Sequence, residues 1–205
     1  MLLRADRHKE PDSDLSWVCV FLGLCLVICG APLGLRYNEL AVADMSFITE
    51  RLAVGGAIWT RDNHDAVRRA GITHVINTQI EFDDRILSED DWPRILHLGT
   101  EDDFTPKPAG LFQLAVDFAL AALAEPRSKI LVHCASGIHR GPMVALAILR
   151  ALGFSRHDAM RLIVWRRPQA DFPEVYVESV ENFIAEWEAE SSEASDPAQG
   201  RSNPG

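Results

Sequence analysis

The chain is short of cysteine: four in 205 residues. Three of them, Cys19, Cys25 and Cys29, crowd into one apolar segment near the N-terminus, and Cys134 stands alone in the remainder. A lone cysteine excludes a disulfide framework for the globular region. Excess positive charge is also lacking. The formal net charge is −10, which argues against broad affinity for nucleic acid. Hydrophobic residues make up 47% and charged residues 24%, an ordinary balance for one α/β or α+β domain with a real core.

One long run does lack charge. Between Asp14 and Arg36 lies LSWVCVFLGLCLVICGAPLGL, long enough to cross a bilayer. Arg4, Arg7 and Lys9 precede it, diluted by Asp6, Glu10, Asp12 and Asp14. No clean small-x-small cleavage site follows, and Ile28 before Cys29 is a poor lipobox residue. Residues 1–44 therefore read as an N-terminal extension with three interpretations. It is a membrane anchor through residues 15–35, an artefact of a mis-assigned start ahead of Met45, or a signal peptide. A chemistry that needs a reduced thiol favours the cytoplasm, with anchoring through residues 15–35 as the alternative.

From residue 45 the pattern changes. FITERLAV reads as one short strand ending at Gly55-Gly56, and Thr60 to Ala70 as a helix with Gly71 just past its end. Runs at 72–77, 94–98 and 129–134 (ITHVIN, RILHL, KILVHC) read as short apolar strands. PAGLFQLAVDFALAALAEP reads as a helix with Leu111, Leu114, Phe118 and Ala121 on its inner face. Further helices are expected at about 141–152, from Ser155 to before Pro168, and from Pro173 to about Glu188. The last turns Val177, Val180, Ile184 and Trp187 inward. Residues 189–205 read as a disordered tail. Short strands alternating with helices predict an α/β fold: a central, mainly parallel sheet flanked by helices, with the cysteine loop between a buried strand and a helix. Ligands in such folds sit at the carboxyl ends of strands, where Cys134 falls.

The loop itself, VHCASGIHRGPM at 132–143, is built for an anion. Backbone N–H groups of a tight turn converge into a nest, and the next helix aims its positive end at the same place. Gly137 allows the turn, and Pro142 suits a first helical turn. A thiol there is readily deprotonated, and Arg140 can fork onto two oxygens of a phosphate. These are parts for nucleophilic phosphoryl transfer, against the blander reading of Cys134 as a small buried hydrophobe.

His133-Cys134-Ala135-Ser136-Gly137-Ile138-His139-Arg140 resembles the His-Cys-x-x-Gly-x-x-Arg signature of the cysteine-dependent protein tyrosine phosphatases. The GGA near the start, the HVIN strand and the WRRPQA stretch resemble the dual-specificity branch, and the likeness covers about residues 46–188. The resemblance implies that Cys134 attacks phosphorus to form a phosphocysteine. Arg140 would bind the phosphoryl group, and the main-chain N–H groups of Ala135, Ser136, Gly137, Ile138, His139 and Arg140 would cradle its oxygens. His133 would orient the loop from behind.

The resemblance also implies an aspartic acid about thirty residues upstream, to protonate the leaving oxygen. That window reads GTEDDFTPKP. Asp102 is preferred for this role from the register of the following helix, and Asp103 is the alternate. No cofactor and no metal are implied. The expected partner is a phosphorylated protein or another phosphomonoester, and the expected state is a monomer.

One departure stands out. Most relatives carry Ser or Thr directly after the arginine, where the hydroxyl stabilises the departing thiolate. This chain has Gly141. The departure implies slower breakdown of the phosphocysteine and leaves room for a phosphate-binding pseudophosphatase. The loop interior holds no lysine, which argues against highly charged lipid headgroups. A sulfurtransferase is a weaker rival, since that chemistry needs neither the arginine at this spacing nor an upstream acid.

Overall fold

The computed structural model describes residues 43–88 and 92–195. The expected anchor at 15–35 and residues 196–205 of the expected tail lie outside them. Among the described residues no helix is long and apolar enough to cross a membrane.

Five strands form one sheet in the order β1-β2-β5-β3-β4. Strand β1 (Met45–Phe47) runs antiparallel to β2 (Leu52–Gly55). The others, β3 (His74–Asn77), β4 (Arg94–His97) and β5 (Ile130–His133), are parallel to their neighbours. The single strand expected over FITERLAV is thus a hairpin. Ile48 and Thr49 turn back onto Leu52 by backbone bonds, and the Thr49 hydroxyl accepts from Leu52 N–H. A side-chain oxygen that closes a turn locally breaks what the apolar pattern alone extends.

Strand β5 lies at the centre, and its short apolar run is buried throughout. Ile130 and Val132 enter the larger core while Leu131 enters the smaller one on the opposite face. Helix α1 (Arg61–Arg69) covers the smaller face, with Val67 packed against Ile58, Ile72 and Val75. Thr60 starts this helix by accepting from Asn63 N–H. The larger core takes α2 (Ala109–Ala124), α3 (Arg140–Ala151), α4 (Arg156–Arg166) and α5 (Glu174–Ser195).

Helix α3 is buried from Arg140 to Leu149, which explains its nearly uninterrupted apolar sequence. Ser155 caps α4 through Asp158 N–H, as the sequence pattern indicates. Val177, Val180 and Ile184 of α5 are buried as expected.

Two further expectations fail. In α2 the inner face is Phe112, Ala115, Val116, Ala119 and Ala122, whereas Leu114 is 55% exposed and Ala121 is exposed. The helix is so apolar that hydropathy does not define its inner face. Close packing selects small alanines where α2 meets its neighbours. The last helix also continues to Ser195, beyond the expected end at Glu188, so residues 189–195 are helical rather than part of a structureless tail. Sparse apolar residues there hid a run of Glu, Ala and Ser that still forms backbone bonds.

Candidate functional site

The loop leaves β5 at His133 and enters α3 at Arg140. Four successive loop carbonyls are taken by donors outside the loop. Ala135 O accepts from Ala57 N (3.0 Å), and Ile138 O from Asp171 N (2.8 Å). Arg167 donates from Nη2 to Ser136 O (3.2 Å) and from Nε to Gly137 O (2.7 Å). Because a trans peptide is planar, a carbonyl turned outward turns the following N–H inward. Gly137 N–H meets Cys134 Sγ at 3.1 Å on that inner side.

Gly137 has φ +66°, and a Cβ there would press on Arg167 and on the Gly55 backbone. Arg167 is fully buried, and the Asp44 carboxylate engages its other edge at 2.9–3.0 Å. Neither Arg167 nor Asp44 was read from the sequence. The only signal was the WRRPQA stretch, where a buried arginine looks no different from an exposed one.

Cys134 is fully buried. His133 is too, and its Nε2 lies 2.9 Å from Asp84 Oδ2. Asp84 is also fully buried and accepts from Asn77 Nδ2 at 2.8 Å; Asn77 Oδ1 in turn accepts from Gln79 N–H. Thr78 donates both its N–H and its hydroxyl to His133 O. The histidine is thus held through Nε2 and its carbonyl by a buried polar network behind the loop, while its Nδ1 is buried without a hydrogen-bond partner. Its partner Asp84 comes from a 3-10 turn (Asp84–Leu87) that the sequence did not single out.

The Arg140 side chain is 4% exposed. Glu81 grips it at both ends of the guanidinium, Nη1 to Oε2 at 3.0 Å and Nη2 to Oε1 at 2.8 Å, while Thr100 O takes Nη1 as well. Arg140 Nε is buried and has no hydrogen-bond partner. Burial opposes the positive charge. The Glu81 bonds and the adjacent Cys134 sulfur outweigh it and hold Arg140 above its ordinary value. Reciprocally, the Arg140 bond keeps the Glu81 carboxyl below the usual carboxylate range. Glu81 is a further residue that sequence reasoning missed.

The two candidate acids separate clearly. Asp102 Oδ2 lies 3.8 Å from Arg140 Nε and 3.1 Å from His139 Nδ1, and Tyr176 donates its hydroxyl to Asp102 Oδ1 at 3.1 Å. Asp103 is tied to Lys107 Nζ at 2.5 Å and to the Thr105 hydroxyl and N–H. The Lys107 bond, with those from Thr105, pulls the Asp103 carboxyl down to about 2. An acid held there carries no proton at neutral pH. Gly141 opens onto the cysteine: a Cβ built on it would stand 3.5 Å from Cys134 N and from the His133 backbone, an ordinary contact.

A model of the family "Dual specificity phosphatase, catalytic domain" matches residues 59–184, well over half of the chain. The chain belongs to the dual-specificity phosphatase family. Dual specificity protein phosphatase 26 of Bos taurus is 38% identical over 90 residues, 43% of either chain. Dual specificity protein phosphatase Mpk3 of Drosophila melanogaster is 28% identical over 134 residues, 65% of this chain and 31% of its own. The chain thus spans less than half the length of these curated relatives. Among solved structures, PTPMT1 in complex with PI(5)P superposes with a TM-score of 0.62 at 21% identity, covering 72% of this chain and 98% of that one. Human tyrosine phosphatase-like serine/threonine/tyrosine-interacting protein superposes at 0.61 and 21%, covering 71% and 98%. At these identities the structures establish the dual-specificity phosphatase fold, with its mixed sheet and flanking helices.

Proposed function

We propose that the chain is a cysteine-dependent phosphatase that hydrolyses phosphomonoesters, phosphotyrosine and phosphoserine or phosphothreonine of proteins, through a phosphocysteine. The observation that carries this reading is the convergence on one small volume. The Cys134 sulfur is bonded by an inward N–H, the loop carbonyls are pinned outward, and Arg140 keeps one edge unpaired beside Asp102.

In the first half-reaction the Cys134 thiolate attacks phosphorus. The N–H groups of residues 135–140 and the Arg140 guanidinium hold the oxygens, and Asp102 protonates the leaving oxygen. Water then displaces the thiolate and gives a proton back to Asp102. His133, held by Asp84, keeps the strand end and the loop in register. The arginine and the N–H nest supply the positive charge, so the reading needs no metal and no cofactor.

Protein substrates are favoured over phosphoinositides, although a structural neighbour was solved with PI(5)P. Asp102, Asp171 and Glu81 place carboxylates around the mouth, and the loop offers no lysine to a second phosphate.

A second reading, a phosphate-binding protein with little turnover, rests on Gly141, which supplies no hydroxyl to the departing thiolate. The test is turnover of p-nitrophenyl phosphate by the full chain beside Cys134→Ser, with vanadate binding measured on both. Turnover that vanishes in Cys134→Ser supports the enzyme. Absent turnover with intact vanadate binding supports the second reading. Full activity of Cys134→Ser would overturn the mechanism.

A further inference from the structure

His139 was expected to contribute only its backbone to the loop, yet its side chain joins two carboxylates. Nδ1 lies 3.1 Å from Asp102 Oδ2, and Nε2 lies 3.5 Å from Asp171 Oδ2. The Asp102 side chain is 25% exposed, the imidazole 21% and the Asp171 side chain 71%, so the row opens to solvent most widely at Asp171. We propose that Asp102, His139 and Asp171 form a carboxylate–imidazole–carboxylate chain. In it His139 is a positioning residue for the acid, and it shares the proton that Asp102 delivers. The inference rests on the reading of Asp102 as the general acid.

Position comes first. Asp102 is held at both oxygens, by Tyr176 at Oδ1 and by His139 at Oδ2. The next residue but one reinforces the grip. Phe104 has φ +55°, a conformation unfavourable for an aromatic residue unless its surroundings enforce it. Three contacts enforce it. Phe104 N–H donates to the Tyr176 hydroxyl at 3.0 Å, its ring stacks on Tyr176 with planes 2° apart, and it meets His139 edge-on at 5.3 Å. Burial pushes the Tyr176 hydroxyl upward, with Asp102 adding to the effect, so Tyr176 remains a donor across neutral pH. The acid loop is therefore latched to the cysteine loop through His139 and to α5 through Tyr176.

Proton storage follows from the groups that face the imidazole. The acid loop presents Asp102, and the segment before α5 presents Asp171. Helix α3 presents Arg140, whose Nε is 3.8 Å from Asp102 and whose other nitrogens Glu81 covers. Cys134 lies beyond Arg140 and interacts with it electrostatically. Asp103 is occupied by Lys107 and Thr105. Two carboxyl groups flank one ring, so a proton on Nδ1 or on Nε2 has an acceptor beside it.

The protons balance over the cycle. When the bridging P–O bond breaks, the proton that Asp102 and His139 share passes from Asp102 to the leaving oxygen, and Asp102 is left as the carboxylate. When water hydrolyses the phosphocysteine it forms a new P–O bond, and the S–P pair returns to Cys134. The proton lost by that water enters the Asp102–His139 pair. Asp171 places a negative charge at the outer end of this chain, 3.5 Å from Nε2.

The test is the pH profile of kcat for the full chain with phenyl phosphate, whose poor leaving group needs an acid, and with 2,4-dinitrophenyl phosphate, which does not. Asp171→Asn should move the basic limb for phenyl phosphate to lower pH by about half a unit or more and lower kcat at neutral pH by about 3- to 10-fold. KM and vanadate inhibition should change by less than about twofold. His139→Asn should move the limb in the same direction and further. Asp171→Asn should have no added effect in an Asp102→Asn background, because it acts through Asp102.

An unmoved limb in both variants, with Asp102→Asn still selectively slow on phenyl phosphate, overturns this inference alone. If Asp102→Asn slows both substrates equally, or neither, the reading of Asp102 as the acid fails first.

Discussion

The two halves of the site are built differently. The phosphate side comes from eight contiguous residues, 133–140, at the end of a central strand, and His133, Cys134 and Arg140 among them are buried. The acid side joins three distant segments, around Asp102, His139 and 171–176, through partly exposed side chains. The contrast teaches where robustness lies. The first half is secured by main-chain bonds to the sheet and by two buried arginines, Arg140 and Arg167, each paired with a carboxylate. The second is a latch of side-chain hydrogen bonds and one aromatic stack, the kind of assembly that opens at low cost.

Breaking the phosphate side should do the most. Cys134→Ser should lower turnover at least about 10³-fold while vanadate binding persists, read by steady-state kinetics and by isothermal titration. On the acid side, Asp102→Asn should cost about 10²-fold on phenyl phosphate, and Asp103→Asn less than about twofold, since Asp103 is bound to Lys107 and not to the site. Asp103→Asn slowing turnover more than Asp102→Asn would reverse the assignment.

The supporting network should register in stability. Asp84→Ala leaves His133 and Asn77 buried without their shared acceptor and should cost about 2–3 kcal/mol in chemical denaturation. A loss within experimental error would show that the network behind the loop is dispensable. Gly141→Ser has room for its side chain and restores the hydroxyl most relatives carry, so kcat should rise by about 2- to 5-fold if phosphocysteine breakdown limits turnover. Rapid-quench trapping of the phosphorylated chain would show the intermediate depleted in the variant.

The smallest effect concerns Asp103. Its carboxyl is held at about 2, below the unfolded value near 4, so its contribution to stability is present above pH 4 and lost as pH falls towards 2. The stability difference between the wild type and Asp103→Asn should shrink through that window. A difference independent of pH from 5 to 2 would place the Lys107 contact elsewhere in the energetics.

Legibility followed the same division. Strand β5, the loop and α3 were readable because a buried parallel strand is apolar throughout and the loop's chemistry is contiguous. The inner face of α2 was not readable, since a helix rich in Ala and Leu has no polar side to orient it. Asp102 and Asp103 were inseparable by spacing, being adjacent. Their partners distinguish them: Arg140, His139 and Tyr176 for one, Lys107 and Thr105 for the other. Asp84, Glu81 and Arg167 could not be picked out, because charged residues in turns are usually solvated, and only the folded chain shows these closing on His133, Arg140 and Gly137.

By itself the sequence placed Cys134, Arg140, the turn between them and the sheet end on which they sit, because each depends on neighbours a few residues away. Tertiary structure alone decided which aspartate lies against Arg140 and His139 and what keeps Arg140 and the loop in place. It also brought a second carboxylate against His139. Those contacts join residues 30 to more than 100 positions apart, and only the packing of helices on the sheet brings them within hydrogen-bonding distance.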